Sequence, residues 1–232
     1  MHRISLEFRE HAILKGGMSF RLVNSPRSTN DLDYVFVPFK SKKEIAPVLE
    51  KIVSEIPSAK ITRSMHSTAL RLNISVEDVN VQLEADIAMN CKSAPMSTSA
   101  LASKVDQLSQ VIRIMSFDVA LSHKLAAWNE RRLLRDLYDV YYLYKVVGVV
   151  PDKDTLLSRL DQINSRIPSL KNRKKMKMSE FLAELKKAAD EITEQKLEEE
   201  LAPLLNLNEL PGLAIKLRTS INELVAYILR AA

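Results

Sequence analysis

The hydrophobic pattern of this chain turns from mixed to helical near Ser116. Before that residue, apolar positions alternate within several short segments and follow a helical spacing over 41–57. After it, they recur every three or four residues to the end. A period of two suits a strand with one buried face, and a period of 3.6 suits a helix with an apolar stripe. The expected architecture is therefore α+β over residues 1–115 and helical over 116–232. The chain has 232 residues, enough for one large domain or two small ones with a real core. Only 4 glycines and 6 phenylalanines argue against a turn-rich all-β sandwich.

Within the first half the elements can be assigned from local chemistry. Residues 12–15 (AILK) read as a strand stopped by Gly16-Gly17, and 18–24 as a short helix. SPRSTN, residues 25–30, is a turn-rich loop leading into DLDYVFVPF, residues 31–39, a strand of β-branched and aromatic content. Residues 41–57 read as an amphipathic helix opened by a Ser41–Glu44 capping box. Residues 59–76 read as strand broken near Ser67, and Glu77-Asp78 as a hairpin turn. NVQLEADIAM, residues 80–89, alternates cleanly, with Val81, Leu83, Ala85 and Ile87 on one face and Gln82, Glu84 and Asp86 on the other. Residues 90–110 read as loop or weak helix, and 111–115 as one more short strand. Further helices are expected near 117–133, 133–147, 153–165, 178–205 and 211–230. No internal repeat is visible.

The chemistry concentrates at Asp31 and Asp33. Residues i and i+2 of a strand share a face, so these carboxylates project together while Leu32 turns to the core. Adjacent like charges repel and are stabilised by a cation between them. Magnesium suits the site because it takes hard oxygen ligands and keeps waters that phosphate can replace. If the strand of residues 80–89 pairs beside 31–37, Asp86 becomes a third carboxylate. A site of that kind can hold two metals and clamp the attacking and leaving oxygens of a nucleotidyl transfer. Gly16 and Gly17 open a helix, where backbone amides can approach a phosphate closely. Ser19 adds a hydroxyl beside them. Each signal has a plainer reading alone: a lone Asp-x-Asp is common, and a Gly-Gly pair is usually a turn. The order strand, Gly-Gly, helix, loop, Asp-x-Asp is what raises the metal reading above the plain one.

These linked motifs resemble the polymerase-β-like nucleotidyltransferase superfamily. More narrowly, "LKGGMSFRL" with "SPRSTNDLDYVF", followed by "VALSHKLAAWNERR" (119–132) and "LLRDLYDVYYL" (133–143), resembles the AbiEii/MenT-type toxins of type IV toxin–antitoxin systems. The resemblance covers about residues 12–145. It implies a polymerase-β-like mixed sheet with flanking helices, followed by a helical C-terminal half. It also implies Mg²⁺ (or Mn²⁺) on Asp31, Asp33 and Asp86, with Asp86 a possible base. Nucleotide phosphates would lie on Gly16 and Gly17, with Ser19 and Arg21 nearby. Lys124 would meet the triphosphate, and Asp136 would sit in the same site. The expected reaction moves an NMP from an NTP to an acceptor hydroxyl, by family likeness that of tRNA, with a cognate antitoxin as partner. Two features depart from the family pattern: Met18 stands where relatives usually carry a small hydroxyl residue, and few residues precede Gly16.

The residues alone leave other readings open. Lys124 sits among Leu121, Leu125 and Trp128, and its stem can simply run along an apolar helix. Arg132 with Asp136, and Arg135 with Asp139, are spaced as i,i+4 surface ion pairs. KNRKKMK, residues 171–177, fits RNA phosphates or a solvated loop. The four Tyr residues from Tyr138 to Tyr144 fit packing better than base stacking. A protein-modifying nucleotidylyltransferase or kinase-like transferase, or a non-catalytic basic nucleic-acid-binding protein, stands as an alternative.

The net charge is +5, which suits either a polyanionic partner or a mild basic excess. One cysteine, Cys91, permits no disulfide within the chain, and the four histidines show no zinc-ligand spacing. No apolar stretch is long enough to span a bilayer. A cytoplasmic protein without a membrane partner is expected.

Overall fold

A computed structural model describes residues 1–67 and 69–230. The chain divides into two compact units, Met1–Ser116 and the residues from Phe117 onward.

The first unit contains α1 (His2–Phe8), β1 (Ala12–Lys15), α2 (Gly16–Arg21), β2 (Asp31–Phe36), α3 (Lys42–Ser54), β3 (Lys60–Met65), β4 (Leu70–Val76), β5 (Val79–Ile87), β6 (Ser93–Ser97), the short α4 (Ser99–Ala102) and β7 (Val111–Met115). Its seven described strands form one mixed sheet in the order β3-β4-β5-β2-β1-β7-β6. The β1/β7 and β2/β5 pairs are parallel, and the others antiparallel. Burial alternates along β4 and β5, as a sheet with one packed face requires. Leu70, Leu72, Ile74, Leu83 and Ala85 are buried on the packed side, along with Ile45, Leu49 and Val53 of α3. The Ser41–Glu44 capping box starts α3 as its sequence predicts. Glu77, at φ 51°, turns β4 into β5.

Within residues 90–110, expected as loop or weak helix, the short α4 and its flanking loops fit that reading and Ser93–Ser97 departs from it. Ser93–Ser97 is a strand because it pairs along β7, Ser93 opposite Met115 and Ser97 opposite Val111. Nothing in Ser-Ala-Pro-Met-Ser alternates, so the partner strand imposes the conformation. Its place at the sheet edge accommodates Pro95, which has no N–H to donate. The N-terminal helix α1 was not marked by any local signal, and it buries Ile4 and Phe8.

The second unit is helical: α5 (Phe117–Arg131), α6 (Leu134–Tyr141), α7 (Lys153–Leu160), α8 (Met178–Asp190), α9 (Glu194–Leu201) and α10 (Leu213–Arg230), with a π-helical turn at Tyr142–Val147. Trp128 meets Phe181 edge-on at 6.1 Å, and Leu125, Leu185, Leu217, Ile221 and Leu224 are buried. The single helical stretch expected near 178–205 is two helices. Thr193 ends the continuity by capping α9, its hydroxyl accepting from the Lys196 amide at 3.3 Å. α5 and α6 are separated at Arg132, whose φ of 58° is left-handed. Among the described residues no helix is long and apolar enough to cross a membrane.

Candidate active site

Sheet register assembles the first group of charged residues. β2 and β5 run parallel with Asp31 opposite Gln82, Asp33 opposite Glu84 and Val35 opposite Asp86. Directly paired residues share a face, so Asp31, Asp33, Glu84 and Asp86 project from the same side of the sheet. The neighbour of Asp33 across the strands is Glu84. Asp86 lies one same-face step further along. Lys15 and Arg71 belong to this face too, opposite Asp33 on β1 and opposite Glu84 on β4.

Fixed cations offset much of the crowded negative charge. The Lys15 ammonium lies 2.5 Å from Asp86, and the Arg71 guanidinium donates to Glu84 at 2.7 Å. Its hydrogen bond to Glu84 and the Glu84 charge hold the Arg71 guanidinium above its ordinary pKa, with Asp86 and Asp33 adding to the effect. Lys15 belongs to the Lys-Gly-Gly motif and Arg71 to no motif, and the sequence alone assigned a role to neither. Lys15 ends a strand and Arg71 sits within one, and only the register aims them at carboxylates.

Asp31 is exposed and Asp33 half-buried. Among the described residues, no group of three or more His, Cys, Asp or Glu has metal-holding geometry. Magnesium does not need one. It commonly binds through one or two carboxylates, completing its shell with waters and substrate phosphates. Asp31 and Asp33, hard oxygen donors on one face, fit that chemistry. The position of Gly16 tightens the fit. A Cβ there would fall 2.2 Å from Asp33 Oδ2. The backbone thus approaches the carboxylate as only glycine allows, and at φ +70° it adopts a conformation costly for other residues.

The glycine corner itself is braced from within. Gly16 and Gly17 are the first residues of α2, which starts two residues earlier than expected and ends at Arg21. A Cβ on Gly17 would meet the Arg27 guanidinium at 2.8 Å and Thr29 Cβ at 3.2 Å. Ser19, expected beside the phosphates, is fully buried, and its hydroxyl donates to the Gly16 carbonyl at 2.8 Å. Arg21 donates to the Ser25 carbonyl at 2.6 Å, holding the loop between α2 and β2. Both residues stabilise the turn in this geometry. The buried Arg27 is a further cation of the corner to which sequence reading gave no role.

In the second unit, Lys124 of α5 meets two buried aspartates of α6. Its ammonium is 2.7 Å from Asp139 and 3.7 Å from Asp136. Arg131 forks onto Asp136 through two hydrogen bonds of 2.6 and 3.1 Å. Asp136 and Asp139 are almost fully buried, so their charges require these partners. The i,i+4 surface pairs suggested by spacing do not form. The left-handed residue between the helices takes Arg132 away from Asp136. Arg132 instead stacks over Trp128 at 4.4 Å and reaches Glu184 at 3.3 Å. Asp139 faces inward to Lys124, away from the exposed Arg135.

No curated protein matches this chain. Among solved structures, the CD-NTase CdnG of Bradyrhizobium diazoefficiens, in complex with GTP, matches at 13% identity over 93% of this chain and 77% of that one. The TM-score of 0.26 makes this likeness too slight to bear on the site. Residues 3–217 match the family described as nucleotidyl transferase AbiEii toxin, type IV TA system, a span holding both charged clusters. The chain belongs to the AbiEii nucleotidyl transferase toxin family and is a nucleotidyltransferase.

Proposed function

We propose that this nucleotidyltransferase moves a nucleoside monophosphate from an NTP to a hydroxyl of an RNA acceptor, with tRNA as the acceptor class. The observation that carries this reading is the alignment of Asp31 and Asp33 with Glu84 and Asp86 across two parallel strands, with Gly16 against Asp33. The acceptor oxygen forms a bond to the α-phosphorus. The bond from that phosphorus to the oxygen bridging the β-phosphate breaks, and pyrophosphate leaves with that oxygen. The hydroxyl proton passes to Asp86, which Lys15 holds in position. A divalent cation, Mg²⁺ or Mn²⁺, bound by Asp31 and Asp33 would neutralise triphosphate charge. The Gly16-Gly17 corner receives the phosphates through backbone N–H groups, and Arg21 and Ser19 keep that corner in shape. Lys124, Asp136 and Asp139 act as a positioning network, because the Lys124 ammonium already bridges two buried carboxylates. A cognate antitoxin is the proposed protein partner, and the cytoplasm, which holds NTP and tRNA, the site of action.

Incubation with labelled NTPs, a divalent metal and total tRNA tests the reading. Label on RNA is the expected result, and Asp33→Asn should lower transfer by at least about 10²-fold with the fold intact. Label on protein would transfer the assignment to a protein-modifying enzyme. Full activity in the Asp33→Asn protein would remove Asp33 from the site.

A further inference from the structure

The basic excess of this protein resides in one segment. Residues 164–177 contain Arg166, Lys171, Arg173, Lys174, Lys175 and Lys177 and no carboxylate. The chain has a net charge of +5, so without these six cations the remainder stands at −1. A mild basic excess spread evenly over a surface would not produce this distribution.

The segment is built into the second unit. Ile163, Ser165, Leu170 and Met176 are buried, and the charged residues between them face outward. The Ile163 amide donates to the Lys174 carbonyl and the Met176 amide to the Leu160 carbonyl, both at 2.9 Å. Glu130 ties down the start. Its carboxylate accepts from the Asn164 amide at 3.1 Å, and its carbonyl accepts from the Ser165 hydroxyl at 2.6 Å. Arg173 is committed to the structure, donating to the Lys175 carbonyl at 2.9 Å and pairing with Glu180. Lys175 has only a long contact of 3.6 Å with Asp161, at the exposed edge. Arg166, Lys171 and Lys174 are exposed and make no ion pair among the described residues.

A structural loop would pair its cations or dilute them with carboxylates. Here the backbone is anchored at both ends, and at least four cations are left in solvent or weakly paired. No aromatic side chain lies in the segment to stack on a base, so the chemistry is that of phosphate contact without sequence reading. We propose that residues 164–177 form the docking surface for the phosphodiester backbone of the RNA acceptor, a reading that rests on the RNA-directed transfer proposed above. The contact is electrostatic and acts by releasing counterions.

The test is binding of a mixed tRNA pool, without NTP, across a salt series. The variant Lys171→Gln/Lys174→Gln/Lys175→Gln is compared with the charge-matched control Lys51→Gln/Lys60→Gln/Lys104→Gln. The loop variant should bind about 10–100-fold more weakly, and its log–log salt slope should be shallower by about two. The control should stay within about threefold of the wild type, with equal urea midpoints for all three proteins. Equal losses in both variants, an unchanged loop variant, or no tRNA binding by the wild type overturns the inference. So does tighter binding to anionic phospholipid vesicles than to tRNA. Failure of the transfer reading is separable. A wild type that binds tRNA through the loop but never labels it defeats that reading alone. Transfer to tRNA that is unaffected by a loop variant of unchanged affinity defeats this one alone.

Discussion

Replacing Gly16 by alanine probes the contact on which the candidate site turns. The change adds one methyl group at a backbone φ of +70°. That conformation costs an L-residue about 1–2 kcal/mol, because its Cβ crowds the neighbouring carbonyl. The new Cβ would also stand 2.2 Å from Asp33 Oδ2, 3.0 Å from Asp33 Cγ and 3.2 Å from Asp33 Cβ. The closest of these is on the order of 1 Å inside van der Waals contact, so the carboxylate must move by a comparable distance. A displacement of about 1 Å at a catalytic group costs roughly 10²-fold in rate. Gly17→Ala is the internal comparison. Its Cβ would first meet the far end of the Arg27 side chain at 2.8 Å and then Thr29 Cβ at 3.2 Å, so its nearest contacts include neither Asp31 nor Asp33. Initial rates of NTP-dependent labelling, measured beside urea unfolding, should show Gly16→Ala losing about 10²-fold in transfer, with stability lowered by about 1–2 kcal/mol. Gly17→Ala should lose clearly less. Wild-type transfer by Gly16→Ala, or a larger loss from Gly17→Ala, would refute the argument that Gly16 sets the position of Asp33.

Lys124→Met leaves Asp139 buried without its cation, and urea unfolding should show a loss of about 3–5 kcal/mol; a change below about 1 kcal/mol would mean the aspartates are compensated elsewhere. The companion Lys124→Met/Asp139→Leu should recover part of that loss, since an apolar pair removes the stranded charge. Cys91 carries a thiol whose pKa burial pushes up, with Lys15 opposing the shift. Its folded form therefore holds the proton more tightly than the unfolded chain does, so its contribution to stability is present at neutral pH and lost as pH rises through the thiol range. Alkylation by iodoacetamide at pH 8 should be slower in the native protein than in urea, and slower again in Lys15→Met. Equal native and unfolded rates would show that Cys91 is not shielded.

Much of the sheet was legible because its signals are local. The alternation of residues 80–89 marks β5, the capping box marks the start of α3, and the glycine pair marks the end of β1. The face shared by Asp31 and Asp33 follows from strand geometry alone. The partners of those carboxylates were not legible. Asp86 could be paired with Lys15, and Glu84 with Arg71, only once β1 and β4 were known to flank the central strands in a given register. A one-residue slip would have turned the same side chains to the other face. In the helical unit, spacing suggested Arg132 for Asp136. A single left-handed residue between two helices transfers that role to Arg131.

The residue order determined by itself where most of the strands and helices would form, and it brought two aspartates onto one strand face beside a diglycine corner, since both effects act between residues close along the chain. Tertiary structure alone decided which charges meet. It made β6 from a segment with no strand pattern and set Glu84, not Asp86, across from Asp33. It also drew Lys124 into a buried pair of aspartates. These outcomes depend on register, on burial and on partners distant in sequence, and local propensity carries no information about any of them.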